Sequence, residues 1–184
     1  MKKIYALIIA KGESERLKDK NKLLFKGKPM FVWNLEKCNK LFDKVFVSSD
    51  DREILRIAKE NGAITIKRPK RLCKGPNIPV YKHAQRKMKA DVIVAVQANS
   101  PTIDPDIILA TEKIMRVDYW KELITQHLDT KIYGSVWAMT KERLENYRDP
   151  YLPKDDPLMF YFLDPSTDIH TLKDFKYAEK ISKI

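Results

Sequence analysis

An apolar run, Ile4 to Ile9, leads straight into Ala10, Lys11, Gly12, Ser14, Arg16, Lys20, Asn21 and Lys22. These residue types can do phosphate chemistry. A flexible glycine after a strand frees backbone amides, and ammonium groups beside them can help neutralise a triphosphate. Without something negative among them, the lysines would repel one another. The spacing matches neither glycine-loop motif in wide use: no GxxxxGK[ST] and no GxGxxG occurs. Glu13 and Glu15 add negative charge, so the stretch is not a purely cationic cradle.

Such a loop needs a scaffold, and the chain supplies alternating strands and helices. Ile4–Ala10 reads as a strand buried on both faces. After Pro29, the residues Phe31, Leu35, Cys38 and Phe42 recur at helical spacing. Lys44–Ser49 is a second strand, with Asp50 as the expected cap of the next helix and Gly62 at its end. "AITIKRP" and Asp91–Gln97 give two more strands. Asp104 and Pro105 open a further helix. "IYGSVWAM" and "LMFYFL" read as strands, and "TLKDFKYAEKIS" as a closing helix. The stretch Arg116–Lys131 reads as amphipathic, and its Tyr119 and Trp120 suit core or interface.

Repeated β-α-β units predict a three-layer α/β fold, a mostly parallel sheet with helices on both faces. No linker or internal repeat interrupts residues 1–184, so one domain is expected. Ligands of such sheets sit at the carboxyl ends of strands, which lines up the opening loop, "SSDD", "KRP" and "QANSP" along one edge. The net charge of +11 favours an anionic partner. No interleaved basic-aromatic stripe points to nucleic acid. Two cysteines make no disulfide framework, and a cytoplasmic setting is expected. No run is long enough to cross a bilayer, and the faint signal-like start is broken by Lys11 and Glu13. His83 and His127 show no partner pattern and read as structural.

The opening "LIIAKGESERLKDKNKLLFKGKPM" resembles that of the nucleotidyltransferases, and more closely the cytidylyltransferases that make CMP-activated sugar acids, the CMP-acylneuraminate and CMP-Kdo synthetases. Further blocks resemble theirs in the same order: "VFVSSDDREILRIAKENGA", "RPKRL", "VQANSPTIDPDII", "YGSVWAMTKERL" and "DIHTLKDFKYAE". The resemblance implies a Rossmann-like nucleotidyltransferase fold. It implies transfer of CMP from CTP to a sugar acid or similar small anionic or sugar-like acceptor, with Mg²⁺ as cofactor and pyrophosphate released. Related alternatives are a phosphosugar, polyol phosphate or phosphonate acceptor, or a non-catalytic nucleotide-binding homologue. A homodimer would also fit the family.

Carried over by position, Ala10, Lys11, Gly12 and Ser14 form the nucleotide loop. Either Lys20 with Asn21, or Arg16 with Lys22, meets the phosphates. Arg68, Gln97 and Ser100 match nucleotide-side positions, and Asp168 with His170 matches the metal pair. Three departures stand out. Where the family carries a second carboxylate, this chain has His170, a poorer partner for hard Mg²⁺. Asp168 then serves alone, or with Asp164 or Asp174, or the metal preference has shifted. "RLCKGPN" and "QANSPTI" lack polar and basic residues usual in those blocks. The acceptor-binding middle of the family is replaced by roughly Arg116–Lys131.

Overall fold

A computed structural model describes residues 2–128, 133–147 and 159–182. Strand β1 (Ile4–Ile9) lies at the heart of a seven-stranded sheet, between β4 (Val45–Ser49) and β6 (Val92–Gln97). The full order is β5-β4-β1-β6-β8-β7-β9, where β5 is Ile64–Lys67, β7 Glu122–His127, β8 Tyr133–Thr140 and β9 Met159–Asp164. Only β8 runs against its neighbours, pairing antiparallel with both β6 and β7. The expected mostly parallel sheet is therefore observed. A small hairpin, β2 (Leu24–Phe25) and β3 (Lys28–Pro29), stands apart from it.

Alternation along β1 explains the two core layers. Ala6 and Ile8 point to one face and meet helices α1 (Met30–Leu41), α2 (Arg52–Glu60) and α4 (Pro105–Arg116) through Leu35, Ile54 and Ile108. Leu7 points to the other and meets Tyr81, Ala84 and Met88 of α3 (Ile78–Met88) and Leu144 of the short α5 (Lys141–Glu145). Cys38 is buried on α1. A third cluster joins Phe25 and Met30 to Ile169 and to Phe175 of α6 (Leu172–Ile181), so the last helix packs against the opening hairpin. Among the described residues, no helix is long and apolar enough to cross a membrane.

Local chemistry sets the helix ends. Asp104 caps α4 by accepting from the amide of Asp106, with Pro105 at the first position, as the sequence predicts. Helix α2 differs: Asp51, not Asp50, is its cap, accepting from the amides of Glu53 and Ile54. The register moves by one because Asp50 accepts the amide of Gly12 instead, at 3.0 Å. Gly62, at φ +83°, closes α2. Gly12 has no positive φ; it is needed because a Cβ there would lie 2.8 Å from that of Asp51.

The stretch expected to be amphipathic instead holds β7, whose Leu123 enters one core layer and Ile124 the other. Two-sided burial, not a polar face, explains its pattern. Trp120 packs partly against the core while Tyr119 is exposed; residues 129–131 of that stretch lie outside the described residues. Buried Glu122 accepts from Trp137 Nε1 at 2.6 Å and from Arg143 Nε at 2.8 Å, tying β7 to β8 and α5.

Gly134 lets β8 pass tightly beside its neighbours. A Cβ there would sit 2.8 Å from the backbone carbon of Thr125 and 2.9 Å from Asp164 Oδ2. Neither group can retreat, since both are fully buried. Gly134→Ala should therefore destabilise the fold by about 1–3 kcal/mol, as overpacking does. Chemical denaturation should show the loss, and an unchanged midpoint would remove this constraint.

Candidate active site

The carboxyl ends of β1, β5, β6 and β7 open onto one cavity of about 320 Å³. Backbone bonds set its floor: the Ala10 amide donates to Ser48 O at 3.1 Å, and the Arg68 amide to Ser49 O at 2.8 Å. Lys11, Arg16, Lys20, Asn21, Arg68 and Gln97 all line it, joined by Asn99, Asp168 and His170. Residues far apart in the chain thus face one space.

Cations dominate this space, and Lys20 and Arg16 have local tethers. Lys20 Nζ donates to the carbonyl of Ile169 at 2.9 Å. Burial pushes its pKa down to about 8, Arg16 and Lys11 push the same way, and Asp168 opposes them. Asn21 is buried and donates to the carbonyl of Lys11 at 2.8 Å, bracing the loop from inside. Arg68 is only 5% exposed, and its Nε and Nη2 find no hydrogen-bond partner among the described residues. Asp50 lies 3.9 Å from Arg68 Nη2. Burial raises the Asp50 pKa, but the bond from the Gly12 amide and the charge of Arg68 help hold it below the usual carboxylate range.

Lys22 does not line the cavity. It forms ion pairs with Asp19 at 3.0 Å and Asp51 at 3.1 Å, outside it. The structure instead brings Lys20 and Asn21, both members of one pairing, to the cavity together with Arg16 from the other. Ala10 and Gly12 are buried beneath the loop, and Ser14 is half-buried; none of the three lines the cavity. Ser100 is fully buried and does not reach the cavity either. Its carbonyl and that of Gln97 accept from Asn34 Nδ2, while Lys37 Nζ holds the carbonyls of Pro101 and Ile103. That block is supported from below, which pulls Ser100 inward.

Asp168 and His170 form a relay with Arg16. Arg16 Nη2 lies 2.6 Å from His170 Nδ1, and His170 Nε2 lies 2.5 Å from Asp168 Oδ2. A guanidinium can only donate, so Nδ1 accepts and the proton sits on Nε2, which donates to Asp168. Asp168 Oδ1 takes a further bond from Asn99 Nδ2. In this arrangement both ring nitrogens of His170 are engaged by Arg16 and Asp168. Asp168 keeps free lone pairs, since a carboxylate offers about four acceptor sites. Asp164 and Asp174 are committed elsewhere. Asp164 is fully buried on Ser135 and Ser166, and Asp174 accepts the amides of His170 and Thr171 in the capping box of α6. The donors fit one hard cation only if phosphate oxygens and water complete its shell, as is usual for Mg²⁺.

Asn99 and His127 line the cavity although the sequence did not assign them to it. Asn99 lies inside the block that contains Gln97, so its place was signalled although its bond to Asp168 was not. His127 ends β7 and lines the cavity together with Gly134. Its position at a strand's carboxyl end was the available signal. His83, on α3, is not among the lining residues.

Known proteins resemble this chain in sequence and in fold. The cytidylyltransferase family profile matches residues 5–131. A pseudaminic acid cytidylyltransferase fused to a UDP-sugar hydrolase, from Helicobacter pylori, is 43% identical over 60 residues, which is 32% of this chain and 12% of that protein. A 3-deoxy-manno-octulosonate cytidylyltransferase from Chlorobium phaeovibrioides is 33% identical over 109 residues, 58% of this chain and 43% of that protein. The chain thus spans less than half the length of either relative. The solved structure of a CMP:2-keto-3-deoxy-manno-octonic acid synthetase with CTP superposes with a TM-score of 0.78 at 16% identity, covering 97% of this chain and 98% of that one. A Mycobacterium tuberculosis protein in complex with manganese shares the fold, at a TM-score of 0.72 and 13% identity over 97% of this chain and 99% of that one. Because the family profile spans well over half its length, this chain belongs to the cytidylyltransferase family.

Proposed function

We propose that the chain is a single-domain cytoplasmic cytidylyltransferase that moves CMP from CTP to a sugar acid or similar hydroxyl acceptor. Arg68 carries this reading. Its buried guanidinium finds no hydrogen-bond partner for Nε and Nη2 among the described residues and lines the same cavity as Lys11, Arg16 and Lys20. A buried cation with so few partners favours a ligand that supplies acceptors. Cytosine offers two, O2 and N3, to the part of the guanidinium that borders the cavity. Uracil offers a donor at N3 instead.

In the reaction, the acceptor oxygen attacks the α-phosphorus, the bond to the bridging oxygen breaks, and pyrophosphate leaves with the electron pair. Such chemistry needs positioning and charge neutralisation more than a covalent protein intermediate. Lys20, Lys11 and Arg16 would carry the neutralisation, with Lys20 held in place by Ile169. Mg²⁺, when bound on Asp168, would supply further positive charge to the phosphates. Arg16 fixes the His170 ring, and His170 with Asn99 fixes the Asp168 carboxylate.

The reading is tested by pyrophosphate release from CTP, UTP, ATP and GTP against sugar acids, phosphosugars and phosphonates. CTP with a sugar acid should be the productive pair, and CTP should raise the melting temperature most. Binding of CTP without turnover on any acceptor would make the chain a non-catalytic homologue.

Lys20 gives a pH-dependent prediction. Free Lys20 loses its proton near pH 8. A bound triphosphate raises that pKa, so binding takes up a proton above pH 8. CTP affinity should be level below pH 8 and then fall, by up to about tenfold per unit. Calorimetry across pH 7–10 measures this, and Lys20→Arg should flatten the profile. Lys20→Ala should cost about 2–4 kcal/mol of transition-state stabilisation. A Lys20→Ala enzyme as active as the parent would remove Lys20 from the phosphate site.

Asp168→Asn keeps size but loses the charge for a hard cation. Turnover should collapse while CTP still binds through the cations. His170→Asp should lower the Mg²⁺ concentration that gives half-maximal turnover, because it adds an oxygen ligand. Metal titrations of pyrophosphate release check both, and an Asp168→Asn enzyme with unchanged metal dependence would exclude that residue.

A further inference from the structure

We infer that His127 contacts the acceptor, receiving a hydrogen bond from one of its hydroxyl groups through Nε2. This rests on the transferase reading above but assigns a residue that reading does not use. Three observations point to it.

The first is place. Arg68 follows β5, whereas His127 ends β7, five strand positions away across the sheet order. Both line one cavity, with the phosphate-facing cations between them. If the base sits at Arg68 and the triphosphate at Lys20, the end bounded by β7 and β8 is left for the second substrate.

The second is an orphaned nitrogen. His127 is 5% exposed, and its Nδ1 is buried with no hydrogen-bond partner among the described residues. A histidine kept only for structure would be expected to use its ring nitrogens, since buried polar groups are nearly always paired. With Nδ1 sealed off, Nε2 is the nitrogen that the cavity can reach.

The third is the group behind the ring. β7 and β9 pair His127 directly with Asp164, and Asp164 Oδ2 lies 3.9 Å from Nδ1. Asp164 is fully buried. Burial raises its pKa, but hydrogen bonds from Ser135 and Ser166 outweigh that and hold it below the usual carboxylate range. A carboxylate on this side favours the proton on Nδ1, which leaves a lone pair on Nε2 for the cavity. Gly134, packed against Thr125 and Asp164, lines the same cavity as His127. The partner this suits is a small polyhydroxylated molecule offering a hydroxyl donor.

The test uses the whole chain with CTP, Mg²⁺ and a panel of 2-keto-3-deoxy sugar acids. His127→Gln and His127→Ala should keep the parent's CTP affinity by calorimetry. Their kcat/KM for the acceptor should fall at least tenfold, with the KM for CTP unmoved. Unchanged acceptor kinetics would overturn the inference and leave the transferase reading intact. A matching loss of CTP affinity would also overturn it, by placing His127 with the nucleotide or the fold. No turnover by the parent chain would instead sink the reading on which the inference rests, and the inference with it. A second measurement needs no folded His127 variant. The chain has three histidines, so the His127 ring signal can be assigned by elimination with His83→Gln and His170→Gln. In the parent chain loaded with CTP, that signal should shift when the acceptor is added. A signal that moves with CTP alone, or not at all, would overturn the assignment.

Discussion

Holding like charges together before any anion arrives is the constraint on which this molecule turns. Lys11, Arg16, Lys20 and Arg68 line one cavity, and Asp168 is the only carboxylate among its lining residues. In water such a group would disperse. Here three of the four have protein groups beside them. Lys20 is tied to a carbonyl of the last loop, Arg16 to an imidazole, and Arg68 lies near Asp50. The strain shows in Lys20, whose pKa falls to about 8 because burial and neighbouring cations both disfavour its charge. An anionic ligand would relieve this strain, so the fold stores part of the drive for binding as electrostatic preorganisation.

The tethers explain why the two ends of the chain must meet. Residues 10–22 come from the first strand and residues 168–170 from the entry to the last helix, yet they are joined by Lys20 to Ile169 and Arg16 to His170. Asn99 bonds Asp168, and the Ile169 amide returns a bond to the Asn99 carbonyl at 2.9 Å. The cluster of Phe25, Met30, Ile169, Phe175 and Ala178 locks this junction with apolar burial. The hairpin of β2 and β3 therefore serves the site from outside the sheet.

Much of this was legible in the sequence because it depends on local rules. The run of β1, the Asp104–Pro105 helix start and the loop-after-strand placement of Lys11, Arg68 and Gln97 follow from periodicity, capping and sheet geometry. What was not legible depends on competition between near-equivalent groups. Asp50 and Asp51 are adjacent carboxylates, and only the folded position of the Gly12 amide decides which one caps α2. Lys20 and Lys22 are two residues apart, and the 3₁₀ turn over Lys20–Lys22 points one into the cavity and the other to Asp19 and Asp51. Ser100 lies off the cavity wall, where its block is held by Asn34 and Lys37, a contact no spacing rule announces. His127 was invisible for a further reason. Its meaning comes from a strand, β7, whose two-sided burial resembled amphipathicity, and from a carboxylate on another strand.

The histidine in place of a second carboxylate now has a physical account. A carboxylate at position 170 would meet Arg16 as an ion pair and would stand beside Asp168 as a like charge. The imidazole avoids that repulsion, because as the Nε2–H tautomer it accepts from Arg16 and donates to Asp168. Asp168 is thereby oriented without a metal. The arrangement keeps one carboxylate, Asp168, on the cavity wall with its orientation set by protein groups. Arg16 is as much part of it as the histidine, because it fixes the ring that holds the carboxylate.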